Sequence, residues 1–251
     1  MIEAFFFGPI NQQIFASYHP PAGGGGQVLT IICPPLFNEY MRTHFALRAM
    51  AVTLAEKGQH VLRLDYRGTG DSFGELGDVT ISDWVEDIVL AVREGLDLCG
   101  SSEVRLLGVR AGALLACRSA GACAHIERLV LWDPVLDGAE YLQKLRRIQA
   151  DIIERGLSLS PAERLETLHE YAGCRISERM QEEFRTLDAS IYSSISKSKL
   201  YVVSTSPDAA FPVQGVTRDL VPFECNWETD LLTLLAPKPV MDQLNACLTV
   251  S

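Results

Sequence analysis

Apolar residues fall along this chain in two regimes, short mostly apolar runs and longer stretches at helical spacing. Val28–Cys33 is a nearly continuous apolar run, the pattern of a strand buried on both faces of a sheet, and His60–Tyr66, Glu103–Val109, the mostly apolar Glu127–Asp133 and Lys199–Ser204 read as further strands. Between the first two, Phe45, Ala49, Met50 and Leu54 predict a helix from Thr43 to Lys57, with Gly58 as its terminator. Pro34-Pro35 ends the first buried run and predicts a loop before that helix. Ile81, Trp84, Val85, Ile88, Val89, Val92 and Leu96 mark the clearest amphipathic helix, opened by Thr80 or Ser82 as a cap. Arg67–Ser72 reads as a turn, and Glu3–Phe7 and Gln13–Tyr18 as a hairpin around Gly8–Asn11. Strands alternating with helices at this rhythm imply an α/β fold with a mostly parallel central sheet and helices on both faces.

The rhythm breaks from about Asp137 to Ser196, where the sequence turns charged and helix-biased, with a helix-start signal at Ser160-Pro161-Ala162-Glu163. The strand pattern then returns. Leu220–Cys225 reads as a final strand, and Leu231–Leu248 as a helical region interrupted by Pro237 and Pro239. The expected organisation is a core of residues 1–136 and 197–251 carrying a helical lid insertion of 137–196. Such an insertion sits over the carboxyl ends of the strands, where open α/β sheets bind ligands.

Charge narrows the partners. The formal net charge is −10, and no basic run exceeds Arg146-Arg147, which argues against nucleic acid and against anionic membrane surfaces. No apolar run approaches the ~18 residues of a membrane span, and the first nine residues lack a signal peptide's basic start and cleavage site, which together predict a cytoplasmic protein. Seven cysteines, Cys33, Cys99, Cys117, Cys123, Cys174, Cys225 and Cys247, show no C-x-x-C spacing, and the five histidines show no ligand spacing. Neither a disulfide framework nor a metal site is indicated, and no cofactor is expected.

Candidate chemistry centres on Gly108-Val109-Arg110-Ala111-Gly112, between a buried strand and a helix. This is the frame of a nucleophile elbow, G-x-S-x-G, with arginine where serine belongs. Together with Cys33-Pro34-Pro35-Leu36 and Leu64–Ser72, it makes the chain resemble the α/β-hydrolase superfamily across almost its whole length. Within that superfamily it is most similar to the group called exosortase A system-associated hydrolase 2. That likeness rests on Pro34-Pro35 with Glu39, Gly108–Ala116 and Leu129–Val135. An arginine at the elbow is part of it, and it implies an exopolysaccharide-related setting.

Hydrolysis on this fold needs a nucleophile, a base, an acid and an oxyanion hole. Arginine stays protonated and offers only donors, so Arg110 is no nucleophile. No histidine follows His169, and the region where the base belongs reads Phe223-Glu224-Cys225-Asn226-Trp227-Glu228. Asp208 lies where the acid is expected, though Ser206-Pro207-Asp208 also suits a turn. The backbone N–H groups of Leu36 and Ala111 are the candidate oxyanion donors.

A cation at a helix N-terminus is disfavoured by roughly 0.3–1 kcal/mol, so Arg110 needs a partner. Glu39, Asp133 and Glu224, each expected at or near strand carboxyl ends, are the internal candidates. Two roles for Arg110 stay open, a buried ion pair that plugs a dead site, and a contact for an anionic group of a ligand. The leading expectation is a degenerate triad on a protein that binds an acyl, ester or sugar-derived small molecule. The alternatives are an active hydrolase or acyl transferase using Asp208, Cys33 or a water oriented by Arg110, and a scaffold that docks a partner protein.

Overall fold

The computed structural model describes residues 2–24, 26–123, 125–155, 160, 162–163, 167, 169–207, 210–230 and 232–250. Its centre is an eight-stranded sheet of β1 (Glu3–Phe7), β2 (Ile14–His19), β3 (Val28–Cys33), β4 (His60–Leu64), β5 (Glu103–Val109), β6 (Ile126–Trp132), β7 (Leu200–Ser204) and β8 (Thr217–Leu220). The spatial order is β1-β2-β4-β3-β5-β6-β7-β8. The N-terminal hairpin pairs antiparallel, β2 against β4 as well, and every later pairing is parallel. Leu29, Ile31, Ile32, Leu106, Leu107, Val130 and Leu131 have no more than 1% of their surface exposed, which is why these strands read as mostly apolar runs.

The helices are α1 (Phe37–Glu56), α2 (Ile81–Cys99), α3 (Ala111–Ala120), α4 (Gly138–Arg155), α5 (Glu178–Arg185), α6 (Ser190–Ser193) and α7 (Lys238–Thr249). They cover both faces of the sheet. One apolar core joins α2 and α3 to it, and a second joins α1 and α7 through Leu47, Met50, Leu54, Val240 and Leu244. Thr80 caps α2 with a reciprocal capping box, its side chain accepting from Asp83 N–H while the Asp83 carboxylate takes Thr80 N–H. In the charged segment, α4 packs on α5, α5 on α2 and α6 on α3. An antiparallel bridge between Asp137 and Asp188 closes the base of that segment.

Three expected boundaries move by three residues or more, each for a physical reason. The first helix begins at Phe37 rather than Thr43, because Glu39, Arg42 and Thr43 are polar residues on its buried face and break the apolar periodicity. The last strand is Thr217–Leu220 rather than Leu220–Cys225. As an edge strand exposed along most of its length it carries no apolar signature, and Pro222, which has no N–H to donate, follows it. The C-terminal helix starts at Lys238, with Pro239 in its first turn, so the prolines open it rather than interrupt it. Leu231 and Pro161 lie outside the described residues, but Ser160 and Glu163 exchange the two hydrogen bonds of a capping box.

Candidate functional site

The turn from β5 into α3 places Arg110 at φ 53°, ψ −122°, a conformation a non-glycine residue holds only at a cost of about 1–3 kcal/mol. The two glycines make that turn possible by packing. A Cβ on Gly108 would lie 2.5 Å from Ala113 Cα, and one on Gly112 2.2 Å from the Pro34 carbonyl oxygen. The elbow is thereby pressed against the loop after β3. Leu36, which caps α1, and Ala111, the first residue of α3, are both buried beside it.

The Arg110 guanidinium reaches across the strand ends. Nε donates to Glu39 Oε1 at 3.0 Å and Nη1 to the Asp133 carbonyl oxygen at 3.1 Å. Glu39, in the first turn of α1, receives the Tyr141 hydroxyl on its other oxygen at 3.1 Å. The Glu39 side chain is 3% exposed and that of Arg110 12%. Burial pushes the Glu39 carboxyl above its ordinary value while Arg110 pulls against that shift. For Arg110, burial lowers, and Glu39, Tyr141 and Asp133 together more than offset it, which keeps the guanidinium charged. Among the described residues Nη2 makes no hydrogen bond.

Trp227, in the loop after β8, completes the arrangement. Its ring centroid lies 5.0 Å from the Arg110 guanidinium carbon, a cation–π contact. Its indole N–H donates to Asp133 Oδ2 at 2.9 Å. Asp133, at φ 42° just past β6, also accepts from Thr205 N–H at 2.7 Å and from the Thr205 hydroxyl at 2.5 Å. Arg42 fixes the loop from beneath, donating to the carbonyls of Cys225, Asn226 and Thr233 at 2.9–3.1 Å. Two cavities open on Arg110. One of about 330 Å³ runs past Asp133, Thr205, Phe211 and Trp227, and one of about 180 Å³ runs past Asp137, Glu140, Tyr141 and Lys144.

Residues 40–205 match the sequence profile of the family described as serine aminopeptidase, S33. The chain belongs to that family. Solved structures similar to it include a hypothetical protein of Pseudomonas aeruginosa, at 14% identity, covering 98% of this chain and 94% of that one, with a TM-score of 0.66. The α/β hydrolase GrgF of Penicillium sp. is 17% identical over 88% of this chain and 90% of its own, with a TM-score of 0.63. A lidless α/β serine hydrolase of Xanthomonas campestris is 16% identical over 88% and 84%, with a TM-score of 0.54. No curated protein matches the sequence. At these identities the structures establish the α/β-hydrolase fold and nothing finer.

The expected residues of this S33-family chain sort as follows. Arg110, Glu39, Asp133, Leu36 and Ala111 gather at the elbow, Glu39 from a helix rather than a strand end. Asp133 engages Arg110 through its carbonyl rather than its carboxylate. Glu224 is exposed and forms no ion pair among the described residues. Asp208 lies outside the described residues. Cys33 is wholly buried, and burial drives its thiol well above its ordinary value. Cys225 is 3% exposed, with its thiol pushed up to about 12, again by burial. Ser72 is structural, taking Phe15 N–H and donating to the Asp65 carbonyl.

Trp227 and Tyr141 were missed by sequence reasoning. The signal for the first is a tryptophan in the otherwise polar stretch after Cys225, the region where a triad base belongs; for the second there is none. Among the described residues no cluster of histidine, cysteine or carboxylate side chains could hold a metal, and no helix is long and apolar enough to cross a membrane.

Proposed function

We propose that this S33-family chain is a small-molecule-binding protein built on a hydrolase fold whose catalytic triad has been dismantled. One observation carries the reading. In chain order Arg110, Asp133 and Trp227, with Asp133 rather than Asp208 in the acid's place, follow the order nucleophile, acid, base of α/β hydrolases, yet guanidinium supplies no nucleophile and indole no base. Asp133 keeps the acid's habit of holding a ring N–H. The ligand we assign is an acyl, ester or sugar-derived molecule, held in the cavities beside Arg110 beneath a helical lid of residues 137–196 on a core of 1–136 and 197–251. Likeness to the exosortase A system-associated hydrolase 2 group suggests exopolysaccharide-related metabolism as its setting.

A fluorophosphonate probe and an ester-turnover assay test the reading. Neither wild type nor Arg110→Ser should be labelled or turn over ester, because the serine would face Trp227 instead of an imidazole. Labelling or turnover by either protein would overturn the dismantled-triad account.

A further inference from the structure

The cation at the elbow invites an anion, and the charges around it argue the reverse. Resting on the small-molecule reading above, we infer that the Arg110 cleft selects an uncharged ligand, whose carbonyl or hydroxyl oxygen accepts from Arg110 Nη2. Glu39 compensates the guanidinium charge directly at 3.0 Å. The Asp133 carboxylate lies within the same cluster and adds to the field that favours the charged guanidinium. Further out, Lys144 is taken by Glu140 at 3.2 Å and Glu228 at 2.9 Å, and Asp137 also lines the smaller cavity. Among the described residues, the cations Arg42, Arg110 and Lys144 therefore face five carboxylates, Glu39, Asp133, Asp137, Glu140 and Glu228.

A site with negative excess, in a chain of net charge −10, repels an approaching anion. A buried anion would also compete with Glu39 for a guanidinium already neutralised, against the cost of its own desolvation. A neutral acceptor meets neither penalty. It finds the Nη2 N–H groups of an Arg110 that lines a cavity together with Pro134, Leu136, Phe211 and Trp227. The chemistry that fits is an uncharged ester, amide or hydroxyl with an apolar body.

The test titrates the intact protein by NMR with butyrate, octanoate and phenylacetate, each beside its methyl ester and primary amide. The uncharged members should bind at least tenfold tighter than the matching carboxylate, with affinity indifferent to salt. Glu39→Gln, which keeps an acceptor for Nε but removes the compensating charge, should raise carboxylate affinity at least tenfold and make it fall with added salt. Carboxylates binding better than their neutral partners in wild type would overturn the inference and leave the small-molecule reading standing. Failure of Glu39→Gln, shown folded by its amide spectrum, to gain carboxylate affinity would overturn charge compensation as the cause. Absence of binding by all nine compounds would overturn both.

Discussion

Glu39→Leu is the sharpest perturbation of the elbow. The substitution leaves the Arg110 guanidinium, 12% exposed, with only a backbone carbonyl and the face of Trp227, and it orphans the Tyr141 hydroxyl. Breaking a buried pair from one side costs about 3–5 kcal/mol, whereas replacing both partners with apolar groups is often near neutral. In a chain of this size 1 kcal/mol moves the melting temperature by roughly 2–4 °C. Glu39→Leu should therefore melt roughly 6–20 °C below wild type.

Arg110→Leu should cost less, because the Glu39 carboxyl it strands is already raised by burial and can take a proton. The double variant should be less destabilised than the sum of the two singles by about 3 kcal/mol. Urea unfolding followed by far-UV circular dichroism closes the cycle. Additivity within about 0.5 kcal/mol would refute the claim that Glu39 is what holds the cation at the elbow.

Two further outcomes can be checked on the same instrument. Burial lifts the Asp87 carboxyl to about 6 against its bonds from Arg67, so the folded state binds its proton more tightly than the unfolded state does. Relative to Asp87→Asn, wild-type stability should be highest below pH ~4 and fall by up to roughly 3 kcal/mol as pH rises to ~6; a rise over that window would show the sign to be wrong. Gly112→Ala puts a methyl group against the backbone of Pro34, which cannot rotate away. It should cost about 1–3 kcal/mol, more than Gly121→Ala, whose Cβ would meet nothing within 4 Å; equal effects would mean that the contact is not tight.

How legible each part was follows from what sets it. The central strands are readable because burial on both faces demands mostly apolar residues, and the elbow because Gly108 and Gly112 are forced by backbone approach whatever residue sits between them. Thr217–Leu220 was not readable, since a strand at the sheet edge is free to be polar. The first turns of α1 were hidden because their buried side chains, Glu39, Arg42 and Thr43, are there for hydrogen bonds rather than for apolar contact. At the site, the need for a partner to Arg110 could be argued from charge alone, and Glu39 was among the residues named. Trp227 could not, because its role depends on a fold-back that brings residue 227 against residue 110.

Arg42 gives that fold-back a further meaning. One side chain ties the carbonyls of Cys225, Asn226 and Thr233 to α1, and its own carbonyl takes the N–H of Leu235. The same helix carries Glu39 three residues earlier. Both groups that hold the Arg110 guanidinium from the side, the carboxylate and the indole, are therefore mounted on a single rigid rod packed against the sheet. Residues 137–196 reach these groups through the Tyr141 hydroxyl on Glu39 and through the Lys144 ion pair to Glu228. Tilting or shortening α1 would therefore move both contacts on Arg110 together.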